Sequence, residues 1–133
     1  MTRKRNDGHS TEFGLWLREQ KEIASTRDKG FIATNLDFVW SNYLTGEWML
    51  LEEKRYGRAM TRSQAGQFEQ VDDVCKFDMN YKGFHLITFE NTSPDDGWIR
   101  VDTKKCTKEE LIEFLSFKMP PEWYVSMFEK YGY

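Results

Sequence analysis

The chain reads as one α/β (α+β) domain, a mixed sheet flanked by helices with an extra helical segment at the C-terminus. Three observations predict this. Segments with apolar residues at helical spacing alternate with short runs rich in Phe, Ile, Val, Trp and Tyr, in the order α, β, β, α, β, β, α. Two capping boxes, Thr61-Arg62-Ser63-Gln64 and Thr107-Lys108-Glu109-Glu110, each open a helix. Finally, 133 residues carrying 10 Phe, 5 Trp and 6 Tyr can build one core although 31% of the chain is charged.

Residues 1–10 are polar and basic at the start, without periodicity, and are expected to be a flexible tail. Ser10 or Thr11 offers an N-cap for a helix near 11–24, whose stripe Phe13, Trp16, Leu17 and Ile23 should face inward. Asp28-Lys29-Gly30 ends that unit. Phe31 to Tyr43 reads as extended, and Trp48 to Arg55 as a second strand. The short glycine-containing link Leu44-Thr45-Gly46-Glu47 makes them an antiparallel hairpin. The first capping box starts a helix running to about residue 75. Phe84–Phe89 is apolar on both faces apart from His85 and Thr88 and should be central. Asn91 to Gly97 is a turn, Trp98–Val101 a strand, and the second capping box opens a helix to about Phe117 with Leu111, Phe114 and Leu115 inward. Pro120-Pro121 stops it. The domain proper is expected over 11–119, with the aromatic segment 120–133 packed on it or on a partner.

Several chemistries are excluded. The longest apolar runs are too short to span a membrane, and no apolar stretch follows Met1-Thr2-Arg3-Lys4-Arg5 as a secretory signal would require. Cys75 and Cys106 make neither a disulfide framework nor a zinc ribbon and read as idle thiols of a reducing compartment, the cytoplasm. His9 and His85 lack partners at ligand spacing, so neither a zinc site nor a hydrolase triad is expected, and His85 reads as a hydrogen-bonded strand residue. No phosphate-binding glycine loop occurs, so no nucleotide cofactor is expected. The net charge of −3 disfavours nonspecific binding to nucleic acid, yet Lys54, Arg55, Arg58 and Arg62 cluster with no acid among them.

The hairpin carries the chemistry. If its turn is centred between Leu44 and Thr45, Asp37 lies opposite Glu52. If it is centred between Thr45 and Gly46, Asp37 lies opposite Lys54 and diagonal to Glu52. Either way Asp37, Glu52 and Lys54 share one face, whereas a three-residue loop centred on Thr45 would pair Asp37 with Glu53. Opposed carboxylates about 5 Å apart repel. A divalent cation relieves them, and a lysine alongside can orient water and offset charge building on a phosphate. The bland alternative is a solvated hairpin face with a structural Asp–Lys pair.

Asp37, a hairpin's gap, and Glu52-Glu53-Lys54 after the apolar pair Leu50-Leu51 resemble the signature of the PD-(D/E)XK nuclease superfamily, with Leu36 where many members have Pro. Thr61-Arg62-Ser63-Gln64 is similar to the Ser-x-x-Gln helix start of virus-type replication-repair nuclease and Holliday-junction resolvase domains. The resemblance spans roughly residues 10–90. It implies a restriction-endonuclease-like αβββαβ core, with Phe31–Ile32 as the first short strand. It further implies a Mg²⁺- or Mn²⁺-dependent deoxyribonuclease of phage or mobile-element type, structure-selective on DNA, acting in the host cytoplasm, with a homodimer as the expected assembly. The implied catalytic residues are Asp37, Glu52, Lys54 and Gln64, and the implied metal ligands are Asp37, Glu52 and a helix glutamate, Glu12 in preference to Glu19 or Glu22. Arg55, Arg58 and Arg62 would contact phosphates. The alternatives are a noncatalytic nuclease-fold protein that binds nucleic acid or a protein, and a small accessory protein with an exposed hairpin.

Overall fold

The computed structural model describes residues 11–23 and 30–131. The basic tail with His9 and Ser10, the Asp28-Lys29 portion of the first turn, and Tyr133 lie outside the described residues. The chain divides into two compact units, Met1–Asn35 and Leu36–Tyr133.

In the first unit, α1 spans Glu12–Glu19 and is capped by Thr11, whose Oγ1 accepts the Gly14 N–H at 3.0 Å. It stops short of residue 24. The Trp16 carbonyl, which would take the next helical N–H, is taken instead by the Gln20 side-chain amide at 3.0 Å, and Gln20 turns extended. The expectation that the apolar stripe faces inward is corrected. No residue of α1 is buried; Phe13 is 66% and Trp16 43% exposed, and their rings stack on each other at 5.9 Å.

The second unit is built on a five-stranded mixed sheet of β1 (Phe38–Ser41), β2 (Trp48–Lys54), β3 (Tyr81–Phe89), β4 (Ile99–Val101) and β5 (Lys104–Cys106), in that spatial order. Only β2 and β3 run parallel, joined by the crossover helix α2 (Arg62–Cys75). Thr61 caps α2 and the capping box with Gln64 is complete. The second box, Thr107 with Glu110, caps α3 (Lys108–Leu115). After Pro120 come a 3-10 turn at Pro121–Tyr124 and α4 (Met127–Tyr131).

Two expectations about strands are corrected. Phe31–Ile32 forms no strand, and β1 is four residues long instead of spanning Phe31–Tyr43. Beyond Phe38 the ladder is replaced by side-chain bonds: Asp37 takes the Glu53 N–H and Glu52 takes that of Asp37. β5 is an addition that the sequence pattern lacks. Its turn, Asp102-Thr103, has φ of 50° and 73°, the doubly positive geometry that suits a two-residue hairpin.

Alternate residues feed two cores. Met49, Leu51, Ile87, Phe89, Ile99 and Val101 pack with Leu111 and Phe114 of α3 on one face. Leu50, Phe84 and Leu86 pack with Ala65 and Phe68 of α2 and with Met127 and Phe128 of α4 on the other.

Two buried carboxylates fasten the C-terminal segment to this frame. Asp72 accepts the hydroxyls of Tyr81 at 2.5 Å and Ser126 at 2.6 Å, and the Lys76 ammonium stands 3.4 Å away. Asp102 accepts the Leu86 N–H at 2.9 Å and the Lys130 ammonium at 2.8 Å, with His85 Nδ1 2.7 Å from it. His85 is therefore a hydrogen-bonded strand residue, its Nε2 2.7 Å from the Lys82 carbonyl oxygen. Gly83, at φ 93°, is required where the chain passes Tyr124: a Cβ there would lie 2.7 Å from the Tyr124 carbonyl oxygen. No helix among the described residues is long and apolar enough to cross a membrane.

Removing Asp102 strands a buried histidine, a lysine and a main-chain N–H together. Asp102→Ala should therefore lower the unfolding free energy by about 3–5 kcal/mol in urea titration. Lys108→Ala, which breaks only the exposed pair with Asp95, should change it by less than about 1 kcal/mol.

Candidate functional site

β2 is covered on both sides for most of its length, so its period of two leaves no solvent face on which to place Glu52. Glu52 is 3% exposed. The paired residues Phe38↔Leu51 and Val39↔Leu50 fix the hairpin register, and the next rung sets Asp37 opposite Glu52. This is the arrangement of a turn centred between Leu44 and Thr45. The turn itself is closed by Asn42, whose N–H donates to the Glu47 carbonyl and whose carbonyl accepts the Gly46 N–H, both at 2.8 Å.

The two carboxylates are tied to each other's strand. The Asp37 N–H donates to Glu52 Oε1 at 3.3 Å, and the Glu53 N–H donates to Asp37 Oδ2 at 2.9 Å. Asp37 is exposed and Glu52 buried, so the pair forms a mouth with one wet and one dry carboxylate. Burial pushes the Glu52 carboxyl up from 4.5 to about 7. The neighbouring Asp37 charge adds to this, while the Asp37 main-chain N–H and the Lys54 ammonium pull the other way.

Lys54 lies on the same face of β2, its Nζ 3.8 Å from Glu52 Oε2. It also donates to Gln64 Oε1 at 3.0 Å. That same oxygen accepts the Thr61 N–H at 3.0 Å, and the Gln64 N–H returns to Thr61 Oγ1 at 3.1 Å. One amide oxygen thus caps α2 and holds the lysine. The Glu53 side chain points away from this group and pairs with Arg55 at 2.8 Å.

The structure therefore brings Asp37, Glu52, Lys54 and Gln64 together in one place. Glu12, like Glu19 and Glu22, is exposed in the N-terminal unit, whereas Asp37 and Glu52 belong to the other unit. Among the described residues no group of three or more His, Cys, Asp or Glu side chains gathers to hold a metal. Asp37 and Glu52 nevertheless suit a hard divalent cation: two carboxylates of like charge are held adjacent, and Mg²⁺ commonly binds through one or two protein carboxylates plus substrate phosphates. Of the three arginines, Arg55 is engaged by Glu53, Arg58 lies 5.8 Å over the Tyr56 ring, and Arg62 is exposed in the first turn of α2. The thiols of Cys75 and Cys106 are half-buried, and burial raises both, that of Cys106 to about 11. No protein-family model, curated protein or solved structure matches the chain.

Arg100 and Lys105, which the register sets in line with Lys54, and Trp98 beside them are not among the site residues that the sequence suggests. Their one local signal is the alternation of Trp98 and Arg100 with the apolar Ile99 and Val101.

Because Glu52 holds its proton more tightly in the folded chain than in the unfolded one, its contribution to stability is fully present below about pH 4.5 and is lost as pH rises through about 7. In metal-free buffer the Tm should fall between those values. Glu52→Gln should flatten that decline, as thermal melts across the range will show.

Proposed function

We propose that the chain is a divalent-metal-dependent nuclease of the PD-(D/E)XK, restriction-endonuclease-like kind. It would hydrolyse phosphodiester bonds of DNA in a structure-selective way. The observation that carries this reading is the opposition of Asp37 and Glu52 at the mouth of a hairpin, with Lys54 two residues on and the α2 start beside it. Asp37 and Glu52 would hold Mg²⁺ or Mn²⁺, which supplies a Lewis acid for the phosphate and lowers the pKa of bound water. Lys54, steered by Gln64, places a cation where charge builds on the phosphate. Arg58 and Arg62 offer further phosphate contacts near the start of α2. Cleavage of two paired strands requires two such sites, which is the argument for a homodimer.

The deciding experiment is metal-dependent cleavage of a panel of branched, single-stranded and duplex DNAs. Asp37→Asn and Glu52→Gln should abolish cleavage and leave the fold intact, because each replacement keeps an oxygen for the main-chain N–H it now accepts. Relief of like charge should make both variants equal to or more stable than the parent in EDTA, by roughly 0.2–1 kcal/mol. A lower melting temperature for either would contradict the arrangement.

Gln64→Glu separates capping from chemistry. The carboxylate can still accept from Thr61 and favours the helix N-terminus, so stability should hold. It also binds Lys54 more firmly and adds negative charge beside the phosphate. Cleavage should fall at least tenfold, about 1.4 kcal/mol in the barrier, by single-turnover kinetics.

One observation favours a noncatalytic nuclease-fold protein that binds nucleic acid or a partner: both carboxylates already satisfy main-chain donors and so hold the hairpin shut without a cation. Titration with Mg²⁺ or Mn²⁺ watched by thermal shift distinguishes the two. Stabilisation at millimolar metal supports the nuclease, and its absence supports the binder.

A further inference from the structure

Cross-strand pairing sets Lys54 beside Thr88, Thr88 beside Arg100, and Arg100 beside Lys105. Residues paired in this way point to the same side of a sheet. Three cations therefore stand in a row across four strands, on the face opposite Ile99, Val101 and α3, with the buried Thr88 between the first two. With neighbouring strands about 4.8 Å apart, the row is about 14 Å long.

The far end of the row is held by an aromatic ring. Trp98 lies two residues before Arg100 and on its side of the strand. The Arg100 guanidinium sits 4.1 Å from the ring centroid and the Lys105 ammonium 5.9 Å from it. Gly57 in the loop after β2 backs the same indole, where an added Cβ would come 3.5 Å from Cη2. The Trp98 main-chain N–H donates to Glu90 Oε1 at 3.0 Å. Among the described residues neither Arg100 nor Lys105 has a carboxylate partner, whereas Lys54, Arg55, Lys76, Lys108 and Lys130 each have at least one. A guanidinium held over an indole without a carboxylate partner keeps its donors for a ligand.

We propose that this row, Lys54–Arg100–Lys105 braced by Trp98, is a track for the phosphate backbone of a nucleic-acid strand and leads it to the Asp37–Glu52 mouth. The lengths are compatible: at about 3.4 Å of rise per nucleotide the row covers about four phosphates of one strand, and its three cations, about 9.6 and 4.8 Å apart across the sheet, can neutralise some of them. The proposal deepens the nuclease reading and rests on it for its direction, since Lys54 is at once the near end of the track and the cation of the site. Arg100 and Lys105 are positioning residues that hold the strand without touching the reacting atoms.

The test is binding of fluorescein-labelled single-stranded and duplex DNA in EDTA, where no cleavage occurs, across about 50 to 200 mM salt. The protein is compared with the Arg100→Gln/Lys105→Gln double variant and with Arg100→Lys, after thermal melts establish that each is folded. The double variant should bind at least tenfold more weakly. Its salt slope on single strands should drop by about 1.4, the change expected when two phosphates are no longer neutralised. Arg100→Lys should keep most of the salt slope. A deficit on single strands alone assigns the track to one strand, and a deficit on both assigns it to the shared backbone. Equal affinity and slope for parent and double variant would overturn the track, as would failure of the parent to bind either DNA. If the parent binds through the row but does not cleave with Mg²⁺, the track stands and the nuclease reading falls. If the double variant cleaves with unchanged KM and kcat, the track falls and the site stands.

Discussion

The parallel pairing of β2 with β3 is the constraint from which the rest follows. A parallel pair cannot be closed by a tight turn, so the chain must cross over, and α2 is that crossover. The helix covers one face of the pair and α3 the other, which leaves β2 enclosed as far as Glu52. A carboxylate on such a strand is held almost entirely out of solvent by its neighbours. The crossover also begins close to where β2 ends, which is why Gln64, in the capping box with Thr61, meets Lys54. The candidate site is thus a by-product of sheet geometry: a strand end, a helix start and the mouth of the preceding hairpin.

The electrostatics of the site differ from those of the C-terminal clamp, although both bury carboxylates. Asp102 is surrounded by donors, from His85, Lys130 and the Leu86 main chain. Each compensates part of the desolvation of the charge, and the result is a fastening. Glu52 meets one main-chain N–H, one lysine at 3.8 Å and a second carboxylate. It is undercompensated, and its proton affinity rises accordingly. Undercompensation of this kind is the arrangement by which ligand-binding sites shift the proton affinity of their groups.

How much was legible in the sequence depends on how local the determining contacts are. The hairpin register was legible, because side-chain alternation and the turn centre together leave few pairings, and the pairing of Phe38 with Leu51 is among them. Both capping boxes were legible because their hydrogen bonds lie within three residues. α1 was overextended because a single side chain, that of Gln20, ends it. Phe31 to Leu36 has strand-forming residues but no ladder to join, since Asp37 and Glu52 spend their polar groups on the adjoining main chain. β5 escaped because its three residues, two of them lysines, carry no apolar pattern and its turn lacks glycine. The link from Asp102 to Lys130 and the row from Lys54 to Lys105 join residues far apart in sequence, and only the assembled sheet reveals them.

β1 is the outermost strand on its side of the sheet, and its four residues, Phe38-Val39-Trp40-Ser41, are all exposed. It contains no proline, no charge and no bulge, the usual devices that keep a strand margin from recruiting other extended chains. The hairpin tip continues the theme, with Tyr43 at 90% and Leu44 at 82% exposure. During refolding or concentration such a margin is a template on which another extended chain can pair. A lysine in place of Val39, whose side chain is already in solvent, would make the margin repellent without touching the pair of carboxylates two residues away.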